Sequence, residues 1–383
     1  MRVIFGTDAI KHPLTGIGRY TFELAKELQK SHELSELLFL QGRRVSQVLP
    51  TLSPTLSPSH SISNAVGIRN IAKSSKVLSE LYRFTAPWLK KLALNKYSDF
   101  IYHSPNFYLP PKVNKAVATF HDLSIFTWPQ CHPKDRVRYM RKELLLTLKR
   151  ANILITDSEF TRKELAEYFD YPIDKIVSAP LASSGDFYPR DYTNLQSLMA
   201  GLGLTAGQYT LFTGTIEPRK NIATLLDAYE RLPIELRSQF PLVVCGFPGW
   251  SSQDLHRRFE LAAQQGWLLY LGYLNSDDLP LLFAGARTFL FPSLYEGFGL
   301  PVLEAMASGV PVVCSNAASL PEVLGDAGLM CDAMDVEGLT TAIISSLVDD
   351  DWRVKSIAKG LIKAETFSWS RCAQDTIRAY KQV

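Results

Sequence analysis

With 383 residues the chain is long for one domain and comfortable as two, each large enough to bury its own core. A hydrophobic fraction of 46% with 21% charged residues is ordinary for a globular protein, and the 5 cysteines form no CxxC pair, which excludes a zinc ribbon and a disulfide framework. The net charge of +3 conceals a division: residues 1–188 carry 26 Lys+Arg against 17 Asp+Glu, leaving 15 against 21, so the two parts stand near +9 and −6.

In chain order, short apolar runs at Val3–Phe5, Leu37–Leu40, Phe100–His103, Ala116–Phe120 and Ile153–Thr156 predict strands. Amphipathic stretches at Tyr20–Gln29, Arg136–Lys149 and Phe160–Tyr168 predict helices between them. The segment PTLSPTLSPSHSISN, Pro50 to Asn64, is too rich in proline and serine for a core element and reads as a mobile loop. The alternation resumes with strands at Thr210–Thr213, Leu242–Cys245, Leu268–Leu271, Thr288–Phe291 and Val312–Cys314, and helices near Ile222–Arg231, Ser252–Gln264, Asp277–Ala284 and Leu300–Ser308. Such alternation builds parallel sheets covered by helices, so the fold class is α/β, with two doubly wound, Rossmann-like domains divided between Ala179 and Thr193. Open parallel sheets bind ligands beyond the carboxyl ends of their strands, and two facing sheets enclose a cleft.

The loops after strands carry the chemistry. HPLTGIGRYTFEL, His12 to Leu24, opens a helix at Tyr20, and Gly16 and Gly18 let the backbone approach a phosphate, although GIGRYT lacks the third glycine of a dinucleotide fingerprint. TFHDLSIF, Thr119 to Phe126, ends a strand in His121 and Asp122, where the imidazole is either a ligand contact or a structural residue. GTIEPRKN, Gly214 to Asn221, ends in Arg219 and Lys220; two cations before a helix are unfavourable unless an anion joins them, and a diphosphate fits. In YEGFGLPVLEAMASGVPVV, Tyr295 to Val313, Pro301 marks the first turn of a helix, Glu296 lies in the loop before it and Glu304 about one turn inside. Both carboxylates can accept hydrogen bonds from hydroxyls, or Glu296 can cap the helix and Glu304 be solvated. Asp349–Asp351 contains a DxD, but it lies between helices and far from these motifs, and no other carboxylate cluster implies a metal.

The pattern E-G-F-G-L-P-x-L-E-A-M-A-x-G-x-P-V-V, two glutamates with seven residues between, resembles the acidic signature of retaining family 4 glycosyltransferases with the GT-B fold. That resemblance implies that Glu296 sits beside the transferred sugar, that Gly297, Phe298, Gly299 and Leu300 present amides to it, and that Glu304 binds the nucleotide ribose. GTIEPRKN looks like the family's diphosphate turn, with Gly214 and Thr215 at its start and Lys220 as pyrophosphate lysine. Thr215 stands where many members have arginine, which leaves Arg219 as the second cation. Gly16 and Gly18 would set amides against the diphosphate, His121 would contact the donor hexose, and Gly272 and Tyr273 would meet the nucleobase through backbone. TDSEFTRKEL resembles the last strand and helix of the first domain, and FSW, Phe367 to Trp369, the point where the last helix returns to it. The implied domains are 1–188, joined by the helix 368–383, and 189–367.

The expected activity is therefore transfer of a hexose, mannose or a deoxyhexose such as rhamnose, from a nucleotide-sugar. EPRKN and TGIGRY resemble users of GDP-sugars in O-antigen or capsule assembly. The acceptor is a glycan or lipid-linked saccharide, and neither a cofactor nor a metal is expected. A UDP-sugar enzyme, a phosphorylase or epimerase of the same fold, or a non-catalytic sugar-nucleotide-binding protein are the alternatives.

No nucleic-acid partner is implied. The start MRVIFGTDAI is too short in apolar run for a signal peptide, and no stretch approaches a bilayer span of ~20 apolar residues, so a cytoplasmic setting is expected. Lys73 to Lys96 and Lys134 to Arg150 interleave cations with apolar residues. They suit peripheral contact with anionic headgroups on the inner face of the membrane, or else helices with solvated outer faces.

Overall fold

The computed structural model of the protein describes residues 1–11, 14–51, 87–250 and 252–383. The loop read from Pro50 to Asn64 lies outside the described residues from position 52 onward, as does the part of Lys73 to Lys96 before position 87.

Two sheets form. The first contains β1 (Arg2–Gly6), β2 (Glu36–Gln41), β3 (Arg44–Ser46), β4 (Ile101–Ser104), β5 (Ala116–Phe120), β6 (Ile153–Thr156) and β7 (Ile176–Ser178), in the order β3-β2-β1-β4-β5-β6-β7. The second contains β8 (Thr210–Thr213), β9 (Leu242–Cys245), β10 (Leu268–Gly272), β11 (Thr288–Phe291), β12 (Val312–Ser315) and β13 (Leu329–Cys331), in the order β10-β9-β8-β11-β12-β13. Among the described residues only β3 runs antiparallel to its neighbour. Parallel strands covered on both faces need continuous apolar runs, and β5 and β8 are buried at every position.

The helices used below are α1 (Gly16–Gln29), α2 (Lys134–Arg150), α3 (Glu159–Phe169), α4 (Tyr192–Leu202), α5 (Ile222–Glu230), α6 (Gln253–Gln264), α7 (Leu279–Ala284), α8 (Leu300–Ala307), α9 (Leu320–Leu324), α10 (Val336–Val348), α11 (Asp350–Glu365) and α12 (Trp369–Tyr380). α12 closes the chain against α1, β6 and β7. Its Trp369 Nε1 donates to the Ser183 carbonyl at 3.1 Å, and Tyr380 Oη lies 2.7 Å from His103 Nδ1.

Three expectations change. α1 begins at Gly16 rather than Tyr20, because Thr15 caps it by accepting from the Gly18 amide at 3.2 Å; Gly16 and Gly18 are first-turn residues, not loop. β3, β7 and β13 are three residues each, too short for an alternation to register, so β6 is not the last strand of its sheet. Asp349, in the DxD-like run, caps α11 by accepting from the Trp352 amide at 2.8 Å.

Strand order reverses between β1 and β4 and again between β8 and β11. The loops leaving these strands face one another, and hydrogen bonds join the two halves beside them. Ser158 Oγ and Thr161 Oγ1 donate to the Gly297 carbonyl at 2.6 and 3.1 Å, and Glu322 accepts from the Glu159 and Phe160 amides at 3.0 and 3.1 Å.

Candidate active site

A cleft of about 590 Å³ opens between the sheets at their carboxyl ends, lined from the first by Gly16, Arg19, His121 and Asp157 and from the second by Lys220, Tyr273, Glu296 and Glu304. Its floor is set by glycine. Gly214 and Gly246, at the ends of β8 and β9, have φ of 150° and 154°, and a Cβ on Gly246 would stand 1.9 Å from the Gly214 carbonyl oxygen. The chain then turns through Pro218–Lys220 to Asn221, whose left-handed backbone (φ 56°) is held by its side-chain Nδ2 donating to the Pro292 and Ala333 carbonyls at 3.0 and 2.6 Å. That anchor turns Arg219 and Lys220 toward the loop after β11.

Glu296 meets them there. Lys220 Nζ lies 2.5 Å from one carboxylate oxygen and Arg219 Nη1 3.0 Å from the other. Burial pushes this carboxyl up, but the two cations outweigh burial and hold it at about 2, so Glu296 is ionised. Arg219 is itself occupied: Nη2 donates to Glu217 at 2.8 Å and Nη1 to the Tyr295 carbonyl at 2.6 Å. It clamps Glu296 while lining the cleft beside Lys220.

Gly297 is squeezed between the halves, since a Cβ there would stand 1.7 Å from the His121 carbonyl oxygen. Gly299 begins α8 with φ 101°, and a Cβ on it would meet Leu320 Cδ2 at 2.5 Å. The amides of Gly297, Phe298 and Gly299 have no partner among the described residues, so this helix start can donate into the cleft. Phe298 packs edge-on against Phe367 at 5.6 Å, and Leu300 lines the cleft wall.

Glu304 is buried, not solvated, one turn into α8. Its nearest charge comes from the opposite half: Arg19 Nη1, 3.5 Å from Oε1. Burial pushes the Glu304 carboxyl up to about 7 despite the pull of Arg19.

His121 lines the cleft, but both ring nitrogens are engaged, Nδ1 with Asp157 at 2.7 Å and Nε2 with the Pro105 carbonyl at 2.8 Å. Acceptors at both nitrogens require hydrogen on both. Burial opposes the imidazolium, yet Asp157 and Pro105 raise its pKa above the ordinary value. Its polar atoms thus face the protein, and only the ring is left toward a ligand.

Gly18 departs from expectation in another way: it is not part of the cleft wall, because its α-carbon faces the Ala9 carbonyl and Leu14, where a Cβ would come within 2.8 and 2.9 Å. Gly16 has open space at the same point and does line the cleft. Thr215 lines it beside Gly214. Tyr273 follows Gly272 (φ 65°) and stacks on Phe247 with centroids 4.3 Å apart. Among the described residues, no three histidine, cysteine or acidic side chains converge as a metal requires.

Residues 202–361 match the family model described as glycosyl transferases group 1. Over 381 residues, 100% of each chain, the protein is 47% identical to O-antigen chain mannosyltransferase B of Escherichia coli. The chain belongs to the group 1 glycosyltransferases. Two solved structures share its fold over nearly their whole lengths: sucrose-phosphate synthase from Thermosynechococcus elongatus, at TM-score 0.71, 20% identity and 100% and 99% coverage, and WaaG, a glycosyltransferase involved in lipopolysaccharide biosynthesis, at 0.70, 16% and 98% of each chain. The fold is GT-B.

Within this glycosyltransferase the structure brings the site residues named from sequence to the cleft, except Gly18 and Gly272, and it adds others. Asp157 was quoted in TDSEF, at the carboxyl end of β6, and Arg19 directly follows Gly18 in GIGRY. Position after a strand was the available signal for Asp157. Trp250, in the loop after β9, donates from Nε1 to the Cys131 carbonyl and so bridges the halves; no pattern marked it.

Proposed function

We propose that the protein transfers mannose from GDP-mannose to a glycan or lipid-linked acceptor during O-antigen assembly, with retention of anomeric configuration and without a metal. The full-length relative named as an O-antigen mannosyltransferase favours mannose over a deoxyhexose such as rhamnose. The observation that carries the mechanism is Glu296, an ionised buried carboxylate gripped by Lys220 and Arg219 at the start of α8.

In this reading Glu296 and the amides of Gly297 to Leu300 orient the hexose hydroxyls, His121 walls the sugar from the opposite half, and Glu304 receives the ribose. Lys220, with the amides of Gly16 and Thr215, faces the diphosphate across the bare turn at Gly214, and Tyr273 borders the base. The bond from the anomeric carbon to the diphosphate oxygen breaks as the acceptor hydroxyl adds on the same face. The hydroxyl proton passes to the departing phosphate, so no enzyme base is needed. Donors fixed in advance stabilise the negative charge that develops on the leaving group.

Among the described residues no helix is long and apolar enough to cross a membrane. A peripheral contact is supported by Trp88 and Leu92, 47% and 62% exposed, and by Leu145 on the basic α2, 44% exposed. These apolar side chains sit among lysines and arginines and suit an anionic inner leaflet.

The test incubates the purified protein, with EDTA present, with GDP-mannose, GDP-rhamnose or UDP-glucose and an α-mannobiose acceptor, and reads product by NMR. An α-linked mannose from GDP-mannose supports the proposal. A β-linkage, a requirement for added metal, or transfer only from another donor overturns the corresponding part.

A further inference from the structure

Both cations after β8 are already paired, Arg219 with Glu217, Glu296 and the Tyr295 carbonyl and Lys220 with Glu296. Arg19 is placed differently. It stands in the first turn of α1, the helix leaving β1 at the point where strand order reverses, and it lines the cleft opposite Lys220. The one polar contact of its guanidinium among the described residues is Glu304 at 3.5 Å, well beyond the roughly 2.7–2.9 Å of a charge-assisted hydrogen bond. Glu304 has no closer partner either, although its carboxylate is buried. A guanidinium and a carboxyl group from the two halves are thus held near one another at the cleft, with no direct hydrogen bond between them among the described residues. Neither is locked to a partner, so the pair is suited to exchanging partners with a ligand that supplies both an anion and hydroxyls.

We propose that Arg19 is a donor-contacting residue. When a nucleoside diphosphate enters, the guanidinium leaves Glu304 for the phosphate oxygens, and Glu304 is released to accept hydrogen bonds from hydroxyls. The anion then lies between Lys220 of the second half and Arg19 of the first, which ties donor binding to both sheets. The inference deepens the donor reading above and rests on it.

The test is calorimetric titration of GDP, UDP and ADP, each paired with its nucleoside, into the wild type, Arg19→Ala, Arg19→Lys, Glu304→Gln and the Arg19→Ala, Glu304→Gln double variant, with thermal melts checking that each folds. For whichever diphosphate the wild type binds, Arg19→Ala is expected to weaken it by about 10- to 100-fold while changing the nucleoside by less than about twofold. Arg19→Lys should recover only part of the loss, because it restores charge without the planar fork. The loss must persist on the Glu304→Gln background. An Arg19 that merely neutralises Glu304 would show no loss there, or would weaken nucleoside and nucleotide alike, and either result overturns the assignment. Preference for UDP or ADP in the wild type would remove the GDP reading while leaving Arg19 tested on the preferred nucleotide; a wild type that binds no diphosphate overturns both.

Discussion

Glu296 shows how one side chain can couple stability to chemistry. Its carboxyl falls from an ordinary 4.5 to about 2 because two cations, 2.5 and 3.0 Å away, outweigh the cost of burial. A shift of this size corresponds to on the order of 3 kcal/mol at neutral pH. The folded value is the depressed one, so the stabilisation is complete above pH about 4.5 and is lost as the pH falls toward about 2. Denaturant melts of the wild type and Glu296→Gln should therefore differ by roughly that amount at pH 7 and converge on acidification; a difference independent of pH would mean that the ion pairs contribute little. Lys220→Ala should lower turnover by about a hundredfold, since it removes a preorganised donor aimed at developing charge. A rate within about threefold of wild type would remove Lys220 from the leaving-group site.

At the scale of elements, helix termini do the positioning. α8 starts at Gly299 with unpartnered amides before it, which suits a helix that receives a ligand at that end. α3 starts with Glu322 of α9 accepting from its first two amides at 3.0 and 3.1 Å, a cap supplied by the opposite half of the molecule. Glu322→Ala should cost about 1 kcal/mol in thermal or urea unfolding. It should also speed hydrogen exchange at Glu159 and Phe160, whereas unchanged protection there would show the cap to be idle. The helix and strand runs themselves were legible, because α5 to α8 and β8 to β12 carry clear apolar periodicity. What escaped was α4, whose start falls in the segment read as the domain boundary, the capped, glycine-bearing start of α1, and the three-residue strands, where local propensity is weak and tertiary pairing decides.

For the whole molecule, the charge division places about +9 on residues 1–188, the part that carries α2 and the exposed Trp88 and Leu92. Binding to vesicles containing phosphatidylglycerol should be strong at low salt, fall as the Debye length shortens to about 3 Å near 1 M, and weaken further in a Trp88→Ala, Leu92→Ala variant. Flotation with phosphatidylcholine vesicles alone gives the comparison, and equal binding to both compositions would sink the electrostatic account.

The two-domain α/β class and the loops that carry chemistry were legible in the sequence, because period-2 and period-3.6 patterns and glycine-bearing loops are local properties that survive without knowledge of partners, and the family resemblance named the site residues within those loops. Tertiary structure decided which charges meet. Arg219 and Lys220 are adjacent in the chain, and the turn at Asn221 brings both onto Glu296 at the cleft, with Arg219 also held by Glu217. His121 lost its free nitrogens to Asp157 and Pro105, and Glu304 acquired Arg19 from a residue 285 positions earlier. Pairings of this kind depend on how two sheets approach, and that approach is fixed by glycines such as Gly297, where a missing Cβ lets the backbone of one half touch the backbone of the other.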